Sequence, residues 1–552
     1  MKKTTTCILL SMLVFVFVFA GCGQANDKDS TTQATTAAQT TQGQTAVAQN
    51  SGEPITWDTA DLSWKKDTSP VTLSAFIDMS WYAVDTWGKD DISPVITKNT
   101  GITLDVTKAT DASQLDVLIA SNQMPDLIYT ESAPMFSKLN SSDFSLSLDD
   151  LAKQYCPEFL QLLAPDEVSN NTEDDGHIYA LTNTYANDED WKDQNVLPSV
   201  GNSWLHVRKD IMEALGNPKL ESFDDFYNVL KMVKEKYPKM TPMVQYVDWQ
   251  SPFTVFMGLQ VKDKAYVDGS GTVKIGITDP VYLEYYKYVN RLFREGLLPK
   301  ETFTYNMDQF NQVVNSGNVF AVGFNCKVSD DANLKFDQSG ENYEFMSLQE
   351  PLKYNGETKY KVIDSSLGWA RCYVSTNCSN PARAVNFLEY LRSPEGDKLT
   401  SWGIEGTHYT LDSRGLPIRP DDFTKRTYTE TGIVQWGWLT TAKINGMEYV
   451  GRIKPDGYND NFNLTQKIKP YVDRQPALAF VNPKLGSPEF DSYAKIQEYL
   501  KAQDTAIIIS NSEDTAVAEY NKTIEQLKKM GLDDVEKYMN NNYAKVITKY
   551  QE

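Results

Sequence analysis

Histidine is nearly absent, with three in 552 residues, and the six cysteines are scattered with no C-x-x-C pair. No Cys/His group has ligand spacing, so neither a structural zinc nor a transition-metal site is expected to organise the chain. Six cysteines are also too few for a disulfide scaffold. Beyond Cys7 and Cys22 there remain Cys156, Cys326, Cys372 and Cys378, of which Cys372 and Cys378 are spaced to allow a pair. The chain has no G-x-S-x-G, no P-loop and no H-E-x-x-H, so the common nucleophile, phosphate and zinc signatures are missing. Glycoside hydrolysis needs two carboxylates at a set separation, but 74 acidic residues guarantee that some pair can be found, and none occupies a catalytic motif. No catalytic residue, metal or cofactor is assigned, and the chain is not expected to be an enzyme. Positive charge is in deficit: 53 Lys and Arg leave a formal net charge of −21, which opposes binding to nucleic acid or to an anionic membrane through charge alone. There is no internal repeat, which argues against a purely structural surface protein.

Long apolar runs are equally scarce. The one that stands out is Ile8 to Ala20, preceded by Lys2 and Lys3 and followed by Gly21 and Cys22. This is the layout of an export signal, too short to span a bilayer comfortably. Phe19-Ala20-Gly21-Cys22 resembles the bacterial lipobox, with Phe19 where Leu is more usual, and implies signal cleavage at Cys22 and lipidation of its thiol. Each buried methylene adds about 0.8 kcal/mol, so two or three acyl chains would hold the protein on the outer membrane face. Residues 23–53 are rich in Thr, Gln, Ala and Ser, contain no aromatic residue, and read as a disordered tether. Thirty such residues span roughly 30 Å.

What the rest has in quantity is apolar and aromatic residues, 41% and 12% of the chain, more than one core usually spans. At least two lobes are expected. From Val71 short apolar runs alternate with amphipathic stretches, the pattern of an α/β fold. Val71 to Ile77 is strand-like, Ile92 to Thr100 a helix ended by Gly101, Ile102 to Val106 a strand, Ser113 to Asn122 a helix and Pro125 to Tyr129 a strand. This opens a doubly wound sheet, which takes ligands beyond the carboxyl ends of its strands. Further strands are expected at Ser203 to Arg208 and Val319 to Phe324. Helices are expected from Ser222, over Pro381 to Leu391, and over Asp514 to Met530 closed by Gly531.

Several segments, in order, resemble the extracellular solute-binding proteins of carbohydrate ABC importers, in the long lipoprotein branch common in Gram-positive bacteria. They are Val71 to Ile77 with Trp81, Ala112 to Tyr129 with Met124-Pro125-Asp126-Leu127-Ile128, Gly176 to Leu181, Trp204 to Asp210 with Leu215-Gly216, Asn380 to Leu391, and Gly403 to Tyr409. The resemblance implies a two-lobed clamshell of type II, with open doubly wound sheets and several crossings. Its N-lobe would hold 66–190 and 362–410, and its C-lobe 191–361 and 411–552. It also implies a soluble carbohydrate ligand in the cleft, an ABC permease as partner, a membrane tie through the lipid, and a monomer outside the cell.

A sugar presents C–H patches ringed by hydroxyls, so its site needs aromatic faces and planar polar groups. Eleven Trp and 30 Tyr supply the first, although an aromatic residue chosen blindly is more often core. Position narrows the choice. Asp78, Ser80, Trp81 and Trp87 follow the first strand; Thr130 and Glu131 follow the strand ending at Tyr129, whose Asp126 is expected to be a structural turn residue; Asn183 and Tyr185 lie where the chain leaves the N-lobe. Trp249, Gln250 and Asn325 are the candidates of the other lobe, and Trp369 and Arg371 lie on the return crossing. Trp436 and Trp438 straddle Gly437 and, on a strand, would point to one side as a stacking platform or a core pair. Arg208 pairs with a carboxylate, either on an acidic sugar or, more simply, on a neighbouring Asp or Glu. Glu173-Asp174-Asp175-Gly176 lacks EF-hand spacing and reads as a solvated turn.

Overall fold

The computed structural model describes residues 61–550, apart from 112, 184, 187–191, 193–202, 248, 327, 366, 412–416, 421–422, 424–425, 441–463, 465–466 and 485. The expected export signal, Cys22, the tether and the crossing near 190 lie outside the described residues. Among the described residues no helix is long and apolar enough to cross a membrane.

The chain lays down β1 (Val71–Asp78), β2 (Ile102–Lys108), β3 (Leu127–Thr130) and β4 (Ala180–Thr182), then β5 (Ser203–Arg208) and β6 (Thr241–Gln245). A hairpin of β7 (Ala265–Val267) and β8 (Val273–Ile275) precedes β9 (Val319–Asn325), β10 (Phe345–Ser347), β11 (Val362–Asp364) and β12 (Arg371–Val374). One sheet has the order β2-β1-β3-β12-β4 and the other β10-β5-β9-β6. β1 is parallel to both neighbours, and β12 inserts antiparallel between β3 and β4, so a strand from late in the chain completes the first lobe. This is the two-lobed type II α/β clamshell, with open sheets and more than one crossing.

Period-two alternation divides the first sheet into two faces. Ile77, Leu127, Tyr129, Leu181 and Cys372 join the larger core on one side, while Phe76, Ile128, Ala180 and Tyr373 join a smaller core on the other. The helix Ser93–Thr100 returns β1 to β2 and ends at Gly101, whose φ of 73° lets its N–H bond Thr97 O at 2.7 Å. A Cβ there would stand 2.1 Å from the Thr68 carbonyl oxygen, so the turn requires glycine. In the second lobe, helix Phe223–Lys236 starts with a reciprocal cap: Ser222 Oγ accepts from Asp225 N–H, and Asp225 accepts from Ser222 N–H, each at 3.1 Å.

The lobe boundaries need correction at three places. Leu62 and Trp64 already belong to the first core, ahead of residue 66. Phe423, Ile433, Val434, Trp436 and Leu439 pack into it too, so the first lobe extends past 410. That stretch covers helices Pro381–Arg392 and Pro394–Trp402, which would otherwise expose apolar surface. Val362, by contrast, belongs to the second core, and β11 pairs in parallel with Val472–Arg474. The second core is closed by helices Pro488–Ile508, Glu513–Lys529 and Leu532–Val546, of which the sequence pattern singled out the middle one.

Candidate functional site

Where β1 and β3 end, three tryptophans from distant segments meet. Trp81 follows β1, Trp369 precedes β12, and Trp438 lies in the 3-10 turn Gly437–Leu439. Ring centroids are 5.8 Å apart for Trp81 and Trp369, 5.6 Å for Trp369 and Trp438, and 6.4 Å for Trp81 and Trp438. Tyr82 and Tyr129 support them from below: Tyr82 lies edge-on to Trp438 at 6.2 Å and to Tyr129 at 5.9 Å, and Tyr129 tilts toward Trp369 at 6.4 Å. Both tyrosines are buried, whereas Trp81 is 41% exposed and Trp369 and Trp438 are half-buried. The result is an aromatic floor with one open side, held by offset and edge contacts.

Trp369 is set by its neighbours. Asn183 is fully buried; its Oδ1 accepts the N–H of Trp369 at 3.1 Å and of Ala370 at 2.9 Å, and its Nδ2 donates to Tyr129 Oη at 2.9 Å. Gly368, at φ 82°, passes so close to Asn183 that a Cβ would stand 2.0 Å from the Asn183 carbonyl oxygen. Asn183 therefore positions Trp369 against Tyr129.

Two acids border the floor. Glu131 Oε1 accepts from Trp81 Nε1 at 2.8 Å, and Asp78 Oδ2 accepts from Thr130 Oγ1 at 2.8 Å. Burial pushes Asp78 up to about 6; the Thr130 hydrogen bond acts against this, and repulsion from Glu131 and Asp116 adds to it. Burial also raises Glu131, opposed by the Trp81 hydrogen bond and by the charge of Lys264 from the second lobe. An acid whose folded pKa lies above its ordinary 3.8 contributes stability that is full below pH 3.8 and is lost as pH rises through about 6. Asp78→Asn is therefore expected to stabilise the protein by roughly 1–2 kcal/mol at pH 7.5, the full shift being discounted for partial exposure, and to change little at pH 4. Thermal unfolding at the two pH values measures this, and a loss of stability at both would contradict it.

Of the sixteen candidates, Asp78, Trp81, Glu131, Trp369 and Trp438 meet at the floor, with exposed Ser80 beside Trp81 and buried Thr130 tied to Asp78. Other placements correct the sequence reading. Trp436 does not share a side with Trp438, because the turn there is helical: it is fully buried, and its Nε1 donates to Asp90 Oδ2 at 2.8 Å. Trp87 packs on Trp436 at 4.8 Å and bonds Thr97. Tyr185 is 2% exposed and bridges to Leu367. Arg208 is buried and grips both carboxylate oxygens of Asp210 at 2.7 Å, so it pairs within the protein, with the kind of neighbour the sequence favoured. These four hold the fold. Arg371 lies 4.6 Å from the centre of the Phe136 ring and 3.9 Å from Glu173.

In the second lobe, Trp249 is 38% exposed and rests on Phe324 at 5.8 Å. It follows β6, and Asn325 ends the parallel neighbour β9, so both lie at the same end of that sheet. Gln250 Nε2 donates to Leu259 O at 3.1 Å. Sequence reasoning missed Tyr82, Tyr129 and Lys264. Tyr129 ends an expected strand and Tyr82 adjoins Trp81, which were usable signals; Lys264 had none.

Asp126 is the structural residue expected, accepting Ser74 N–H and Oγ at 2.6 Å and also Ser379 N–H. In the acidic turn, Asp175 accepts from Tyr179 Oη at 2.7 Å and His177 N–H at 3.0 Å, and Asp174 pairs with Lys484 at 2.6 Å. Asp149, Asp150 and His177 are clustered closely enough to hold a cation. Burial would raise Asp149, but donors from Lys153, Ile178 and His177 outweigh it and hold the carboxyl at about 2. That oxygen set is thus already engaged by the protein.

The family model for bacterial extracellular solute-binding proteins matches residues 89–398. The chain belongs to that family. Among curated relatives, this solute-binding protein is 22% identical over 474 residues to Lipoprotein LipO of Bacillus subtilis, covering 81% of this chain and 87% of that one. It is 24% identical over 479 residues to the fructooligosaccharide ABC transporter substrate-binding protein FusA of Streptococcus pneumoniae, covering 79% and 83%. Solved structures share the solute-binding fold: the alginate-binding protein AlgQ2 without calcium superposes with a TM-score of 0.64 at 17% identity, covering 86% of this chain and 98% of that one. FusA in complex with kestose gives 0.62 at 17% identity, covering 87% and 100%.

Proposed function

We propose that this is a lipid-anchored extracellular protein, with no catalytic role, that binds an oligosaccharide on the tryptophan floor and delivers it to the permease of an ABC importer. The observation that carries the reading is the floor itself: three indoles at the carboxyl ends of the first sheet, with acceptor groups at the rim, suit alternating C–H faces and hydroxyls. The relatives support it, since FusA is named for fructooligosaccharides and NgtS of Streptococcus pneumoniae has been solved with Man1GlcNAc. On this reading Trp249 and Asn325 approach from the second lobe when the clamshell closes by a hinge. The anchor would be Cys22, leaving the protein a monomer on the outer face of the membrane.

The test is a thermal-shift screen against oligosaccharides, simple sugars, peptides and divalent ions. A ligand at a hundred times its Kd is expected to stabilise the protein by about 2.7 kcal/mol. A shift with an oligosaccharide that stays uncleaved supports the reading. A response to peptides alone would replace the carbohydrate with a peptide ligand.

A further inference from the structure

On the reading that the floor carries a sugar, we infer that its ligand is an uncharged oligosaccharide and that the same floor turns away uronic-acid and other anionic chains. Asp78 and Glu131 flank Trp81 from the ends of β1 and β3. Each uses one carboxylate oxygen in a 2.8 Å bond to a neighbouring side chain, and the second oxygen of each has no protein donor among the described residues. The donors that complete such acceptors are hydroxyls; a carboxylate or sulfate offers only further acceptors.

The cations that end β2 and begin β12 are already engaged. Lys108 donates to Tyr82 O at 3.0 Å and stands 3.9 Å from Asp85, and Arg371 is held between Phe136 and Glu173. Lys264 acts on Glu131 from the second lobe, which leaves Asp78 unbalanced, with Asp116 adding to its negative surroundings. A uronate laid on the indoles would bring a like charge against this rim where water is being displaced, a juxtaposition that weakens binding by roughly a hundredfold or more. A neutral ring stacks its C–H face and donates its hydroxyls to the free oxygens, hydrogen bonds strengthened by the charge of their acceptor.

The test uses the whole protein in calorimetric titrations at pH 7.5. The probes are a panel of neutral oligosaccharides and, for each, the chain of the same linkage with its primary hydroxymethyl groups oxidised to carboxylates. The expected result is binding of a neutral chain, with its oxidised counterpart weaker by roughly a hundredfold. In Asp78→Asn/Glu131→Gln that ratio is expected to fall at least about tenfold, and Asp78→Asn alone, which should fold at least as well as the parent, is expected to move it in the same direction. Oxidised chains that bind as tightly as neutral ones overturn the charge assignment and leave sugar binding standing. An unchanged ratio in folded variants also overturns it, since the two acids are then not its source. No binding by any chain, neutral or oxidised, overturns both readings.

Discussion

Trp369→Ala is expected to weaken oligosaccharide binding by about two orders of magnitude while leaving the protein folded. Trp369 packs against Trp81, Trp438 and Tyr129 and is more buried than Trp81. Truncating a central aromatic anchor typically costs about 2–4 kcal/mol, which is roughly thirtyfold to a thousandfold in Kd. Part of that loss is indirect, because Trp81 and Trp438 each lose a packing partner. Trp81→Ala should cost less, since Trp81 is the most exposed of the three. Titration calorimetry measures both, and the informative control is Trp436→Ala. That residue is two positions from Trp438 but fully buried, so its loss should lower the melting temperature far more than it alters the intrinsic affinity of the folded fraction. If Trp369→Ala bound the sugar as well as the parent, the floor would not be the site.

Glu167→Ala is expected to cost about 3–5 kcal/mol of stability. Glu167 and Arg392 form an ion pair in which the side chains are only 1% and 6% exposed. Arg392 also reaches Thr182 O at 3.4 Å, so the pair ties the helix Pro381–Arg392 to Pro165–Asn171 and to the end of β4. Removing the acid strands a guanidinium in a site from which water is excluded, and the desolvation already spent on it is no longer compensated. For a chain this long the melting temperature should fall by roughly 3–5 °C. Glu167→Gln, which keeps an acceptor, should cost less, and Glu167→Ala/Arg392→Met should recover much of the loss by removing the orphaned charge. Because the pair is shielded, added salt should change little; a strongly salt-dependent loss would mean that solvent reaches it.

Local signals were legible where one residue decides the geometry. The αL stop at Gly101, the cap at Ser222 and the alternation through β1 and β3 follow from short-range sterics and burial, and the structure has them in place. The ends of parallel strands pointed to Asp78, Trp81, Thr130 and Glu131, because the topology of such sheets fixes which end carries the loops. What failed was local geometry set by distant packing. Trp436-Gly437-Trp438 has no pattern of its own, and its 3-10 turn exists because the buried acid Asp90 receives the Trp436 indole. The boundary near 410 was missed because the stretch that covers the helix pair comes after a polar interruption, and polarity along the chain says nothing about which core the next apolar run joins.

The tyrosine beneath the floor, Tyr82, donates its hydroxyl to the carbonyl of Gln435, 353 positions further along the chain. Joining such remote segments requires closing a very long loop, a slow step whose entropy is repaid only when both ends have docked. Helices and the first parallel strands can form long before that, but until residue 438 is seated there is no complete aromatic surface. Fluorescence of these indoles is therefore expected to report a step later than the formation of the first helices and strands.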